Sequence, residues 1–240
     1  MKSIAPKKWQ ILSGSWLKVM AMAAMLIDHL ACYLWNDTEA FLTPIFTVAS
    51  REVTIYYIFR SAGRLAFPLY CFLLTEGFVH TRHRRAYGIN LLLFAVISEI
   101  PWNFVHTGGW TCEKQNVFFT LFFGYCALCL LEYMTEHMWI QLGGILGLLV
   151  LSYFFHADYG YAGIAAILAM YLLRKWAVAR AAVCTCLFPD TWRAGLAFIP
   201  IALYNGERGF IRGRVGKYLC YAFYPLHLAV LGVLKFFVFT

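Results

Sequence analysis

The sequence predicts an all-α protein whose helices cross a membrane many times. Hydrophobic residues make up 62% of the chain and charged residues 13%, whereas a soluble domain usually carries about 25% charged residues. Apolar runs of the length that crosses a bilayer, about 20 residues, follow one another along the whole chain. No Gly/Ser-rich or strongly polar interval separates them, so residues 1–240 are predicted to form one integral membrane domain in the lipid bilayer.

Clusters of charge, glycine and proline interrupt the apolar runs and set the ends of the predicted helices. They give a polytopic helix bundle of about nine spans, with seven to ten compatible with the sequence. The two segments on either side of Pro189-Asp190 are short enough to form a re-entrant hairpin instead. The predicted helices lie near 12–35, 60–80, 86–106, 117–133, 138–155, 160–173, 177–188, 194–205 and 218–238.

Lysine and arginine predict the orientation, because they are retained on the cytoplasmic side of a membrane protein. Most of the twenty lie at one side of the predicted bundle, together with the amino terminus, which is therefore predicted to be inside. The formal net charge of +8 follows this pattern, and no nucleic-acid partner is predicted. The first apolar run lacks a cleavage pattern and is predicted to remain as a span. The cations predicted outside are Arg51, Arg60, Arg64, Lys114, Arg193 and Lys235.

The first predicted helix contains three ionisable residues, Lys18, Asp28 and His29. Such residues are costly at membrane depth and are therefore functional candidates. Lys18 and His29 are eleven residues apart, which places them on nearly the same helix face and ~16.5 Å apart along the axis. Asp28 points about 100° away from His29, toward another neighbour. His29 is a candidate general base. The alternative is that Asp28 and His29 only tie helices together.

Further polar residues are predicted at the depth of His29, in the outer half of the bundle. Because lipid-facing positions would penalise each of them, they suggest a polar cavity between helices. Caps at helix ends are the alternative, above all for Asn116 and Asp158. His227 follows Pro225, so both a functional role and a bond to a freed backbone carbonyl remain open. The candidate catalytic residues are His29, Asp28, Arg64, Glu99, Asn116 and Asp158.

The inner surface is strongly basic. Retention of cations on the cytoplasmic side explains most of this charge, and the alternative is a site for a polyanionic cytosolic cosubstrate. The basic loop 206–214 lacks the Walker spacing, so nucleotide hydrolysis is unsupported. The cysteines show no paired metal-binding spacing, and no metal is predicted. The candidate cosubstrate-binding residues are Lys18, Glu76, Arg82, Arg84, Arg85 and Arg212.

Several sequence blocks, in consistent order over most of the chain, resemble the TraX family. Three are long: Leu17–His29 with its Lys18 and Ile-Asp-His, Gly63–Phe78 with Gly-Arg-Leu-Ala-Phe-Pro and Thr-Glu-Gly-Phe, and Ile97–Asn103 with Ser-Glu-Ile-Pro-Trp-Asn. Three are short: Asn116–Leu121, Ala157–Gly160 and Phe223–His227. The conjugative F-pilin N-acetyltransferase typifies this family.

This resemblance implies a multi-pass acetyltransferase of the bacterial inner membrane, with acetyl-CoA or another acyl-CoA as cytosolic cosubstrate. The acceptor would be an amine or hydroxyl at or beyond the membrane, on a protein, peptide, glycan or small molecule. The first helix is also similar to wider membrane acyltransferases, in which an arginine precedes a histidine by eleven positions. His29 matches that histidine, but Lys18 replaces the arginine, and an ammonium lacks the guanidinium fork.

Three hypotheses follow, of which the first is an enzyme. In the first, His29 deprotonates an acceptor that attacks an acyl thioester, Arg64 or Asn116 stabilises the oxyanion, and Glu99 or Asp28 orients groups around His29. In the second, the chain is a proton-coupled transporter or exporter whose relay is Asp28, His29, Glu76 and Glu99. A noncatalytic assembly or immunity-type membrane protein is a third possibility.

Overall fold

The computed structural model describes residues 8–133, 136–188 and 191–238. Lys2 and Lys7, which contribute to the predicted inside position of the amino terminus, and Pro189-Asp190, at the predicted hairpin, lie outside the described residues. The elements are α1 (Gly14–Leu34), α2 (Glu39–Leu42), β1 (Pro44–Val48), β2 (Arg51–Thr54), α3 (Ile55–Gly63), α4 (Ala66–His80), α5 (Arg84–Thr107), α6 (Val117–Tyr133), α7 (Met138–Phe154), α8 (Gly160–Leu172), α9 (Ala177–Leu187), α10 (Thr191–Gly195), α11 (Phe198–Ala202) and α12 (Gly213–Phe237).

Three helices in the described part of the chain, α1, α5 and α12, are long and apolar enough to cross a membrane. The count of about nine spans is therefore not confirmed. The physical reason is length, because α6 and α7 have 17 residues each, α8 has 13 and α9 has 11, and a span needs about 20. These shorter helices are nonetheless apolar, so the described part of the protein combines three candidate spans with short apolar helices.

Two of the predicted spans are interrupted in the structure, and a proline explains each interruption. The segment predicted at 60–80 divides into α3 and α4, and the segment at 194–205 overlaps the short helices α10 and α11. A proline lacks an N–H and its ring crowds the carbonyl four residues earlier. Pro68 therefore interrupts the helix at Arg64, and Pro200 interrupts it at Leu196.

A two-stranded antiparallel hairpin between α2 and α3 departs from the all-α prediction. Val48 pairs with Arg51, and the two turn residues between them, Ala49 and Ser50, have φ values of 47° and 64°. Positive φ at both central positions is the geometry of a type I′ turn, which matches the twist of a hairpin. The fold is thus nearly all-α.

The core lies where α1, α4, α6, α8 and α12 meet. Each of these helices contributes a fully buried side chain, respectively Leu17, Leu69, Leu128, Ile164 and Leu228. Helix α1 packs against α3, α4 and α12, and α12 also packs along α5. Helix α7 is peripheral, with Ser152 as the buried residue along its length. The packing therefore joins the first and last long helices in the centre of the protein.

Candidate functional site: a buried histidine pair and its surroundings

His29 and His227 form a hydrogen-bonded pair between α1 and α12. The Nδ1 of His29 lies 2.7 Å from the Nε2 of His227, and the Nδ1 of His227 lies 2.8 Å from the backbone oxygen of Phe223. Because a carbonyl only accepts, His227 donates from Nδ1 and, when neutral, accepts at Nε2. His29 must then donate from Nδ1. The geometry therefore makes Nε2 the basic nitrogen of a neutral His29.

The two imidazole rings are nearly parallel, with an interplanar angle of 7° and centroids 5.0 Å apart, as expected for rings joined edge to edge by a hydrogen bond. His227 is buried and Tyr224 lies beside the pair, with its ring 6.4 Å from that of His29. Nearer the amino-terminal ends of the same two helices, Cys220 of α12 is an electrostatic neighbour of Lys18 of α1. Lys18 and His29 thus both face α12, as their eleven-residue spacing predicts. We call the end of the bundle that carries His29 the outer end, following the predicted orientation.

A second histidine network lies one helical turn beyond His29. The hydroxyl oxygen of Tyr33 lies 3.0 Å from the Nε2 of His106, and the Nδ1 of His106 lies 2.8 Å from the backbone oxygen of Trp102. The same reasoning makes His106 the donor to Trp102, so the Tyr33 hydroxyl donates to His106. Lys235 donates to the backbone oxygen of Val105 at 3.0 Å. Helices α1, α5 and α12 are therefore tied together at this level.

Asp28 faces a different neighbour from His29. Its Oδ2 lies 2.6 Å from Arg60 Nη1 of α3, and both side chains are largely buried. Gly63, one turn further along α3, packs directly on Asp28, and a Cβ there would overlap the Asp28 side chain. This glycine allows α3 to approach α1 closely enough for the ion pair. Asp28 therefore connects α1 to α3 while His29 connects α1 to α12.

Asp158 lies in the loop between α7 and α8, outside the helices. Burial raises the pKa of its carboxyl to about 6, against the opposing effect of the cations Lys114 and Arg64. Asp28 and Arg60 are also electrostatic neighbours of this carboxyl. Arg64 itself lies at the break between α3 and α4. The structure thus brings three predicted residues, Asp28, Arg64 and Asp158, into one electrostatic group.

Glu99 and Asn116 form a second pair of predicted residues. The Asn116 amide donates to Glu99 Oε2 at 2.5 Å and to the backbone oxygen of Ala95 at 2.8 Å, while its oxygen accepts from the backbone N–H of Phe118 at 3.1 Å. The last bond caps α6, as the helix-end alternative predicts. Both amide protons of Asn116 are already donated in this structure. Asn116 thus positions Glu99 and begins α6.

The predicted inner-surface residues are separate from one another. Arg84 lies 3.5 Å from Glu132, which also accepts from Tyr171, and Glu76 lies 3.8 Å from His80. The side chains of Arg82, Arg85 and Arg212 are exposed. Within the described ranges, the six candidate cosubstrate residues make no hydrogen bond or ion pair with one another. The structure therefore shows a dispersed basic surface rather than an assembled phosphate site.

Four residues outside the predicted catalytic set, Tyr33, Arg60, His106 and His227, lie at the outer end of the bundle with that set, and we call all of them together the outer cluster. The sequence predicts Arg60 only as an outside cation, gives no reason to choose Tyr33 or His106, and allows both a structural and a functional role for His227. Their partners are distant in sequence, and His29 and His227 are 198 positions apart. The one available signal was the occurrence of further ionisable and hydroxyl groups at the same predicted depth.

The described part of the chain has a surface groove but no metal-binding cluster. No group of three or more His, Cys, Asp or Glu residues there is arranged to hold a metal ion. A shallow apolar groove lies between α7 and α8, lined by Leu149, Val150, Tyr153, Phe154 and Tyr161. It contains none of the candidate catalytic or cosubstrate-binding residues.

The fold and the site define a helical membrane-type protein with a polar, histidine-containing cluster inside its bundle. The chain belongs to the TraX family, because the model described as TraX protein matches residues 13–235. It is also similar to the probable fimbrial assembly protein FimC, serogroup H1, of Dichelobacter nodosus, with 28% identity over 247 residues that cover 92% of this chain and 95% of the relative. No solved structure matches the chain significantly.

Proposed function

We propose that this protein is a membrane-embedded acyltransferase, with acetyl-CoA or another acyl-CoA as the cytosolic donor and an amine or hydroxyl as the acceptor. The observation that carries the proposal is the His29–His227 pair. It leaves Nε2 of His29 as a basic nitrogen, oriented by a second imidazole that is itself bonded to the backbone of Phe223. A base held in one tautomer by a second group is an arrangement well suited to general-base catalysis.

The reaction gives direct roles to His29 and Arg64 at the outer end of the bundle. The acceptor attacks the carbonyl carbon of the acyl thioester while its proton passes to Nε2 of His29. Collapse of the tetrahedral intermediate breaks the carbon–sulfur bond, and the CoA thiolate takes the proton from His29, which yields an amide or ester and CoA thiol. Arg64 is the cation assigned to the oxyanion, since Asn116 has both amide protons donated already.

Asp28 and Glu99 have supporting roles in this mechanism. Asp28 neutralises Arg60 and holds α3, and with it Arg64, against the first helix. Glu99 is held by Asn116 at the start of α6. Asp158 adds a buried carboxyl near Arg64, suited to a cationic acceptor. These assignments place positive charge at the oxyanion and negative charge at the acceptor.

The donor is assigned to the basic inner surface. Arg82, Arg85 and Arg212 are exposed and are suited to phosphate contacts. Lys18 lies between this surface and His29, about 16.5 Å from His29 along α1, with Arg208 among its electrostatic neighbours. An extended pantetheine arm is the kind of group that bridges such a separation. Arg84 and Glu76 act less directly, because each already has a charged or polar partner.

The acceptor class follows from the relative. The similar chain from Dichelobacter nodosus is named for fimbrial assembly, and fimbriae are built from polypeptide subunits. We therefore assign the protein to pilus or fimbrial assembly in the bacterial inner membrane, with the amino terminus of a polypeptide as the preferred acceptor. This assignment explains why an acyltransferase would have its base at the outer end.

The test is acyl transfer by membranes that contain the full-length protein, incubated with radiolabelled acetyl-CoA. Label should appear in an acceptor, and His29→Ala should lower transfer by about 10²- to 10⁴-fold, the usual contribution of a general base. Equal membrane expression of both forms is the necessary control. Transfer by His29→Ala at the parental rate would remove His29 from the mechanism, and label on the protein itself would indicate an acyl-enzyme intermediate.

A proton-coupled transporter is the second candidate, because hydrogen-bonded histidines inside a bundle also suit a proton relay. Its other proposed members, Asp28, Glu76 and Glu99, have partners on three different helices or loops. Thermal stabilisation separates the two functions. Acetyl-CoA should stabilise an acyltransferase more than CoA lacking the 3′-phosphate, whereas a transporter has no reason to respond to either.

A further inference from the structure

The hairpin formed by β1 and β2 carries apolar side chains that the described structure leaves uncovered. All five residues of β1 are exposed, and Ile45, Phe46 and Val48 show 55%, 51% and 56% of their surface. The hairpin continues directly into α3, where Thr54 accepts a hydrogen bond from the backbone N–H of Tyr57 and so caps the helix. Because α3 carries Arg60, the hairpin lies close in sequence to the histidine-containing cluster.

The register identifies which backbone groups of the hairpin are free to pair. Val48 and Arg51 flank the two-residue turn, so they form the hydrogen-bonded pair that closes it. Hydrogen-bonded and non-hydrogen-bonded pairs alternate in an antiparallel ladder, so Thr47 and Glu52 form a non-hydrogen-bonded pair. The N–H and C=O of Thr47 therefore point away from β2. The sheet has two strands in the described ranges, which leaves this edge of β1 open.

An open edge with apolar side chains is suited neither to lipid nor to water. Open sheet edges do not occur in the hydrocarbon region, because their N–H and C=O groups would lack partners there. In water, exposed Ile45, Phe46 and Val48 form the kind of apolar surface that marks an interaction site. A third strand supplied by another polypeptide satisfies both requirements, since it pairs the backbone edge and covers the side chains.

Three exposed acidic residues lie on the hairpin or close to it in sequence. Asp37 and Glu39 precede the hairpin, Glu52 lies on β2, and all three are exposed. A segment that carries positive charge beside its apolar strand is therefore favoured by complementary charge.

We infer that the β1 edge binds an extended, apolar polypeptide segment flanked by positive charge, as a third strand of the hairpin. This inference rests on the proposed function, because it assigns the segment to the acceptor polypeptide. It makes the hairpin a docking surface for the acceptor, separate from the residues that perform the transfer. Backbone pairing is tolerant of side-chain identity, so the surface selects extended conformation and charge more than an individual sequence.

The test uses the full-length protein in phosphatidylcholine nanodiscs and a fluorescent peptide of alternating valine and threonine with lysines at its amino end. Fluorescence anisotropy should show saturable binding that empty nanodiscs lack. Methylation of the peptide backbone nitrogens should weaken binding at least tenfold, because strand pairing needs their protons. Replacement of the lysines by glutamates should weaken it at least threefold.

Two variants at one position supply matched controls. Thr47→Pro removes the outward N–H and should weaken peptide binding at least tenfold, while Thr47→Val keeps that N–H and should change it less than twofold. Equal binding of the methylated peptide, or of the peptide to empty nanodiscs, would overturn the inference in favour of lipid partition. Self-association of the protein that Thr47→Pro abolishes would overturn it in favour of a second copy.

Transfer to a small amine such as butylamine separates this inference from the proposed function. Thr47→Pro should retain that transfer and lose transfer to the peptide. Peptide binding without transfer to any amine would contradict the acyltransferase and leave the docking surface intact. Transfer to butylamine by a protein that does not bind the peptide would overturn the docking surface alone.

Discussion

The outer and inner ends of the bundle hold their charged residues in opposite ways. At the outer end, His29, Asp28 and Glu99 each bond a residue on another helix or loop, and the side chains are partly or fully buried. At the inner end, Arg85 and Arg212 are exposed, and Arg212 donates to the nearby backbone oxygen of Gly209. The outer groups are thus fixed in geometry, as the proposed transfer requires, while the exposed inner groups suit the proposed binding of the anionic donor.

This contrast predicts that His227 acts through His29. His227→Ala should lower kcat about 10- to 100-fold, because loss of an orienting partner leaves a ligand or base present but poorly held. His227→Gln should restore most of the rate, since an amide oxygen also accepts the hydrogen bond from Nδ1 of His29. The measurement is the pH dependence of acyl transfer, whose acidic limb should move in His227→Ala and not in His227→Gln.

The control for His227 is His137→Ala, a substitution of an exposed histidine beside α7. It should leave both the rate and the pH profile unchanged. If His227 had only a structural role, both His227 variants would lower the rate equally at every pH. That outcome would show that His227 does not orient the base His29.

The Asp28–Arg60 pair should dominate stability at the outer end. Removing one member of a buried pair costs about 3–5 kcal/mol, and side-chain exposures of 15% and 21% place this pair near the lower end of that range. Asp28→Asn and Arg60→Gln should each lower the Tm strongly, while the double variant should lower it less than the sum of the two. Thermal unfolding of the purified proteins measures this, and additive losses would mean that the two charges do not interact.

The inner arginines should give smaller, salt-dependent effects. Arg212→Ala and Arg85→Ala should each raise KM for acetyl-CoA about 3- to 10-fold at low salt, and less at 0.5 M salt, where exposed charges are screened. Their KM for S-acetyl-pantetheine, which has no phosphates on an adenosine, should not change. Arg84→Ala is the internal comparison, because its charge already lies near Glu132 and its loss should affect Tm more than KM. If all three variants had the KM of the parent protein for acetyl-CoA, the assignment of the donor to the inner surface would be wrong.

The same contrast explains what the sequence could predict. Spacing along one helix was sufficient to place Lys18 and His29 toward one neighbour and Asp28 toward another, because helical geometry is local. The predicted breaks missed those at Arg64 and Leu196, although Pro68 and Pro200 were visible and follow each break by four residues. The hairpin was missed because Ala49-Ser50 is an unusual pair for a type I′ turn, which favours Asn and Gly.

The pairing of the site could not be predicted from the sequence. Which residue meets His29 depends on how α1 and α12 pack, and no local signal links positions 198 residues apart. The sequence predicts that the polar groups share one end of the bundle, but their partners required the packing of α1, α3, α5 and α12. At the inner surface the sequence alone identifies the candidate cations, because they are charged residues in predicted loops. The structure adds few contacts that distinguish one exposed cation from another.

The smallest expected effect concerns Asp158, the outer carboxyl that lies outside the helices. Its pKa is about 6, raised by burial from an ordinary value of 3.8, so the folded protein holds this proton more tightly than the unfolded chain. Its contribution to stability is therefore present below pH 4 and is lost as the pH rises through 6.

Asp158→Asn, which cannot ionise, should match the parent in Tm near pH 4 and exceed it near pH 7. Glu113→Gln, at an exposed acid of the neighbouring loop, should show no such crossover. A parent more stable than Asp158→Asn at pH 7 would mean that Lys114 and Arg64 outweigh the cost of burial, and the carboxyl would then bind its own cations in preference to those of an acceptor.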